Sequence, residues 1–78
     1  PGRVEHALEE RELTEAIDRF LRALPERECS MFLRRYWYVD SVQSIAARYA
    51  IKENTAKSIL FRTREKLRRY LAGEGIIV

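Results

Sequence analysis

SVQSIAARYAIKENTAKSILFRTREKLRRYLA, residues 41–72, carries two apolar repeats of helical period separated by a short break. Val42, Ile45, Ala46 and Tyr49 fall at i, i+3, i+4 and i+7, and Ala56, Ile59, Leu60, Thr63, Leu67 and Leu71 hold one face over a longer span. These spacings predict amphipathic helices near 41–49 and 53–72. Only Ala50-Ile51-Lys52 joins them. So short a link forces the two helices to cross steeply, with Ile51 plugging the angle between them, which is the mechanical basis of a helix-turn-helix. Asp40 is placed to cap the first of the pair, with Gln43 three residues on, close to a capping box; Ser41 is the competing cap. Gly73 predicts the stop of the second.

Upstream, Leu13, Ile17, Phe20 and Leu24 repeat the helical period, as do Cys29, Phe32, Leu33 and Tyr36. They predict helices near 8–23 and 26–37. Pro25 suits position N1 of the latter, with Glu26 and Glu28 in the first turn near the positive end of the helix dipole. No period-2 alternation persists anywhere. The expected fold is therefore all-α: one domain over 1–78, four helices, a C-terminal helix-turn-helix over about 41–72, and no wing. Residues 1–7 are expected as a disordered leader, and the apolar tail Gly75-Ile76-Ile77-Val78 is expected to fold back on the body. Tyr36 is expected in the core, with Trp37 and Tyr38 core or semi-core; a sticky patch for a protein partner is the other reading of that aromatic run.

Composition narrows function. At 78 residues the chain has room for one small domain. No apolar run approaches the ~20 residues of a membrane span, and no signal peptide is present, so a cytoplasmic location is expected. One cysteine excludes an internal disulfide and a multi-cysteine metal site; Cys29 reads as a small buried hydrophobe, and His6 as a solvated side chain near a frayed end. No acid–base or nucleophile–base pair can be assembled, so neither enzymatic activity nor a cofactor nor a small-molecule substrate is expected. The start at Pro1-Gly2 points to a domain cut from a longer protein.

The formal charge of +3 is unevenly spread. Residues 1–30 hold five Arg against eight Asp or Glu, whereas residues 52–72 hold seven Lys or Arg against two Glu. A basic end beside an acidic end suits a polyanion on one side and another partner on the other. In the last helix Lys57, Phe61, Arg64 and Arg68 form one stripe, with Ser58, Arg62, Glu65 and Arg69 beside it, both off the apolar face. A solvated basic face is the bland reading. A large ring amid the cations argues for more: Arg can bind guanine through two hydrogen bonds, Lys and Arg neutralise phosphates, and Phe can touch a thymine methyl. Lys52, Glu53, Asn54 and Thr55 stand at the helix start, where free N–H groups favour phosphate.

Residues 24–71 resemble region 4 of sigma-70 family RNA polymerase sigma factors, of the extracytoplasmic-function type. The resemblance runs through Leu24-Pro25-Glu26-Arg27-Glu28, Phe32-Leu33-Arg34-Arg35-Tyr36, Ser41, Ile45-Ala46-Ala47-Arg48-Tyr49, Glu53-Asn54-Thr55-Ala56-Lys57-Ser58 and Leu60-Phe61-Arg62-Thr63-Arg64-Glu65-Lys66-Leu67-Arg68. Leu13 to Phe20 fit the preceding helix of that family. Each string is weak, but the ordered set is specific. The resemblance implies recognition of the minus-35 element of double-stranded promoter DNA, docking on the β flap of RNA polymerase core, and an anti-sigma factor as a further partner. By position, Lys57, Ser58, Phe61 and Arg62 resemble groove-facing residues, Arg64 a nearby DNA or phosphate contact, and Arg35 a backbone-clamping arginine. The sequence departs from the family where Ala50 replaces a frequent turn Gly, Lys52 a frequent capping Ser, and Ser44 a frequent Glu. The family's region 2 is absent, so this domain is expected to be the C-terminal part of a longer factor. The alternatives are a response-regulator output domain, which resembles this fold, and a helical protein-interaction module.

Overall fold

The computed structural model describes residues 2–76, with side chains described from residue 9 onward. Its four helices are α1 (Gly2–Ala23), α2 (Glu26–Tyr36), α3 (Val42–Arg48) and α4 (Glu53–Gly73), and the described residues contain no strand. α1 begins earlier than its periodicity predicts, because no helix-breaking residue lies between Gly2 and Ala23; the leader expected over 1–7 overlaps α1, and Pro1 lies outside the described residues. The His6 side chain, Ile77 and Val78 also lie outside them.

α4 is the organising element and packs against each of the other three helices, while α2 also packs on α3. The core gathers Met31 from α2, Ile45 and Ala46 from α3, and Ala56 and Leu60 from α4, with Val42, Tyr49, Ile51 and Ile59 packed around it. Fully buried Ala56 offers no bulk at the α3–α4 crossing, so the two axes can approach closely. Thr63 is buried too, and its hydroxyl is satisfied by donating to the Ile59 carbonyl at 2.9 Å. At the other end, the Phe20 and Tyr70 rings meet at 5.6 Å. Arg19 donates to the Tyr70 hydroxyl at 3.4 Å and to Glu74 at 2.8 Å, fastening α1 to the end of α4. Those two partners, Tyr70 first, hold the guanidinium even more firmly protonated than usual.

The buried seam of α2 differs from the expected one. Met31 is fully buried and Phe32 nearly so, whereas Tyr36 is exposed and Cys29 only half-buried. Met31 is flanked one turn away by Glu28 and Arg35, which hides the seam from a hydrophobic periodicity. Glu28 lies 4.0 Å from Lys66 of α4, and Arg35 donates to the Asp40 carbonyl at 3.2 Å. Trp37 and Tyr38 are exposed, against the expectation of core or semi-core positions; Trp37 is 77% exposed. The chain leaves α2 just before them and turns through Val39 at φ +60°, which swings the run away from the core.

Three caps also differ. Pro25 is the N-cap of α2 rather than its first helical residue, and its carbonyl accepts the first helical bond from the Cys29 amide at 3.0 Å. Ser41, not Asp40, caps α3: its hydroxyl accepts from the Ser44 amide at 3.0 Å, while the Asp40 carboxylate faces Arg34 at 3.5 Å. α4 includes Gly73 and ends in a turn through Gly75 at φ +80°, where the Ile76 amide donates to the Leu71 carbonyl at 2.8 Å. That is a Schellman motif with glycine at its left-handed position.

Candidate nucleic-acid interface

The elbow between α3 and α4 is a second Schellman motif. Ala50 takes the left-handed position at φ +55°, its amide donating to the Ala47 carbonyl at 3.2 Å and that of Ile51 to the Ala46 carbonyl at 3.0 Å. Ile51 packs against the core and anchors the corner. The Ser30 and Tyr49 hydroxyls hydrogen-bond, tying α2 to the residue that ends α3. The elbow is thus set from both sides, and α4 leaves it at a fixed angle.

α4 begins at Glu53 with Lys52 as an extended N-cap that supplies no side-chain bond, so neither Asn54 nor Thr55 takes over the cap. Lys52, Glu53, Asn54 and Thr55 are all exposed around this uncapped end. Its first amide groups lack intrahelical partners and remain oriented outward. One turn on, Lys57 and Ser58 are exposed, with Lys57 3.8 Å from Glu53. Phe61 is 54% exposed, and Arg62 is exposed with no carboxylate partner among the described residues. The apolar face of α4 is turned the other way: Ala56, Leu60, Thr63 and Leu71 are buried, and Ile59 and Leu67 half-buried. Cations and a phenyl ring therefore share the outer surface of a helix whose inner surface is locked into the core.

Arg64 does not extend freely. Its guanidinium donates to the Tyr36 hydroxyl at 3.2 Å and sits 5.7 Å from the Phe61 ring centre. Arg35 is half-buried and braces the loop before α3 through the Asp40 carbonyl. The structure thus brings Arg35, Lys57, Phe61 and Arg64 around one cleft between α2 and α4, and leaves Ser58 and Arg62 outside its lining. Tyr36 is the member of this surface that periodicity assigned to the core. Its spacing from Phe32 is a core spacing, and the rings do meet, tilted, at 4.7 Å, but only Phe32 is buried.

No helix here is long and apolar enough to cross a membrane, and no group of acidic, His or Cys side chains among the described residues could hold a metal ion. Packed helices, a hydrogen-bonded elbow and a basic outer face on the following helix define a helix-turn-helix domain. The family model for sigma-70, region 4, matches residues 20–69, and the chain belongs to that family. Neither a curated protein nor a solved structure matches the chain. The family is a DNA-binding, regulatory one, acting with RNA polymerase, and is not catalytic. Membership favours a sigma-type helix-turn-helix over the response-regulator and protein-only alternatives.

Proposed function

We propose that this domain recognises the minus-35 element of a promoter by laying α4 in the major groove, and that it docks on the β flap of RNA polymerase. It would act in the cytoplasm. The observation carrying this reading is the outward presentation of Lys57, Ser58, Phe61 and Arg62 on a helix held at a fixed angle by the Ala50–Ile51 elbow. Arg62 has hydrogen-bond donors unspent on any carboxylate, which suits bidentate reading of guanine, and Phe61 suits a thymine methyl. Lys52, Glu53, Asn54 and Thr55 surround uncapped amides that suit a phosphate. Arg35, braced on the Asp40 carbonyl, would hold the strand backbone beside α3.

The flap would occupy the opposite side. An open groove of about 540 Å³ lies between the end of α1 and α2, and Leu21, Leu24, Cys29, Leu33 and Tyr38 give it an apolar lining. An amphipathic helix seats in such a groove by its apolar face. The same groove would serve an anti-sigma factor that competes with the flap.

The test is enrichment of duplexes from a random pool, followed by fluorescence titration of the enriched motif and of its point variants. Arg62→Ala is expected to flatten discrimination at one base pair by about 1–3 kcal/mol. An unchanged preference would show that Arg62 reads no base.

A further inference from the structure

We infer that Tyr36 is the positioning residue for Arg64, holding its guanidinium at the α2–α4 cleft, where a backbone phosphate of duplex DNA would sit. This rests on the DNA-binding reading but assigns a separate role. The cleft, open and about 320 Å³, is lined by Arg35, Lys57 and Arg64 and by no carboxylate. Three cations around one opening, with no carboxylate in its lining, suit a single anion better than a base edge. Lys57 spends part of its charge on Glu53 at 3.8 Å; Arg64 has no acidic partner among the described residues.

What sets Arg64 apart is a relay that begins in the core. Phe32 is buried, the Tyr36 ring packs against it, tilted, at 4.7 Å, the Tyr36 hydroxyl accepts from Arg64 at 3.2 Å, and Arg64 lies against Phe61 at 5.7 Å. An arginine on an exposed helix face normally samples many rotamers and loses that freedom on binding. Here one N–H is spent on a tyrosine whose ring is already fixed, and the planar guanidinium is held beside a second ring. The remaining donors are thereby pre-aimed at the cleft mouth, and the contact forms with less loss of entropy. Arg64 is tied back towards α2, on the flank of α4, where the strand backbone passes when a helix enters the groove, whereas Arg62 stands outside the cleft.

The experiment compares wild-type chain, Tyr36→Phe, Arg64→Ala and the double variant. Each is titrated against random-sequence duplex over a salt series and used to enrich motifs from a random pool. Tyr36→Phe keeps the ring on Phe32 and removes only the hydroxyl, so folding is preserved and circular dichroism checks it. A phosphate seat predicts that Arg64→Ala lowers the slope of log affinity against log salt by about 0.9. Tyr36→Phe should weaken random-duplex binding about three-fold and leave the enriched motif unchanged. The double variant should match Arg64→Ala alone, since the tyrosine acts through the arginine. Wild-type affinity for Tyr36→Phe, or losses that multiply in the double variant, would overturn the positioning role. A motif altered at one base by Tyr36→Phe would overturn the phosphate assignment. A wild-type chain that enriches no motif sinks the promoter reading alone, because the random-duplex affinities still judge the seat.

Discussion

The Ile51 amide reaches back 3.0 Å to the Ala46 carbonyl across Ala50, which sits at φ +55°. This bond closes the elbow that aims α4, and it requires a left-handed residue at position 50. Alanine can hold that conformation only against the clash of its Cβ with the carbonyl oxygen, at a cost of roughly 1–2 kcal/mol. Ala50→Gly removes the clash but adds freedom to the unfolded chain. The net expectation is a stabilisation of about 0.5–1 kcal/mol. A urea midpoint that fails to rise would mean the turn is not strained at Ala50.

Val39 repeats the situation in a harsher form. It lies at φ +60°, is β-branched, and is exposed. The loop is held around it by the Asp40 amide on the Arg34 carbonyl at 2.8 Å and by Arg35 on the Asp40 carbonyl at 3.2 Å. Because an exposed valine gives up little packing, Val39→Gly should stabilise the domain by about 1 kcal/mol, at least as much as Ala50→Gly. Thermal unfolding of the two variants side by side tests the order.

Capping of α3 discriminates between neighbours. Ser41→Ala loses the bond to the Ser44 amide and should cost about 1 kcal/mol. Asp40→Ala loses only a long, partly solvated contact with Arg34 and should cost under about 1 kcal/mol. Equal costs, or the reverse order in chemical denaturation, would restore Asp40 as the cap.

The burial pattern of α2 and the loop after it gives an inverted expectation from residue size. Met31→Ala should cost about 2–5 kcal/mol, because it empties the centre of the core cluster. Trp37→Ala, though it removes more atoms, should change stability by no more than about 0.5 kcal/mol, because that ring is largely in water. Denaturant midpoints of the two variants decide it.

Helices α3 and α4 were legible because their apolar residues recur at a strict helical period and because α4 is long. The outward stripe of Lys57, Ser58, Phe61 and Arg62 was legible for the same reason: once the inner face of α4 is assigned, the outer one follows. The helix α2 was legible but its buried seam was not, because its central core residue, Met31, stands between charged neighbours, Glu28 and Arg35, whose partners lie on other elements. The ends of α2, α3 and α4 fall within one residue of their expected places, but the left-handed positions after α2 and α3 are held by Val39 and Ala50, so the usual glycine signal is missing there, and after α4 the glycine is Gly75, not Gly73.

By itself, then, the amino-acid order determined four helices, a short elbow before the last of them, and a basic outer face on it, since all of these are matters of local period and spacing along one chain. Tertiary structure alone decided that Met31 lies inside and Trp37 outside, and that Tyr36 meets Arg64 across the α2–α4 cleft. Such contacts join residues far apart in the chain, and they depend on the angle at which one helix rests against another, which no spacing within a single helix encodes.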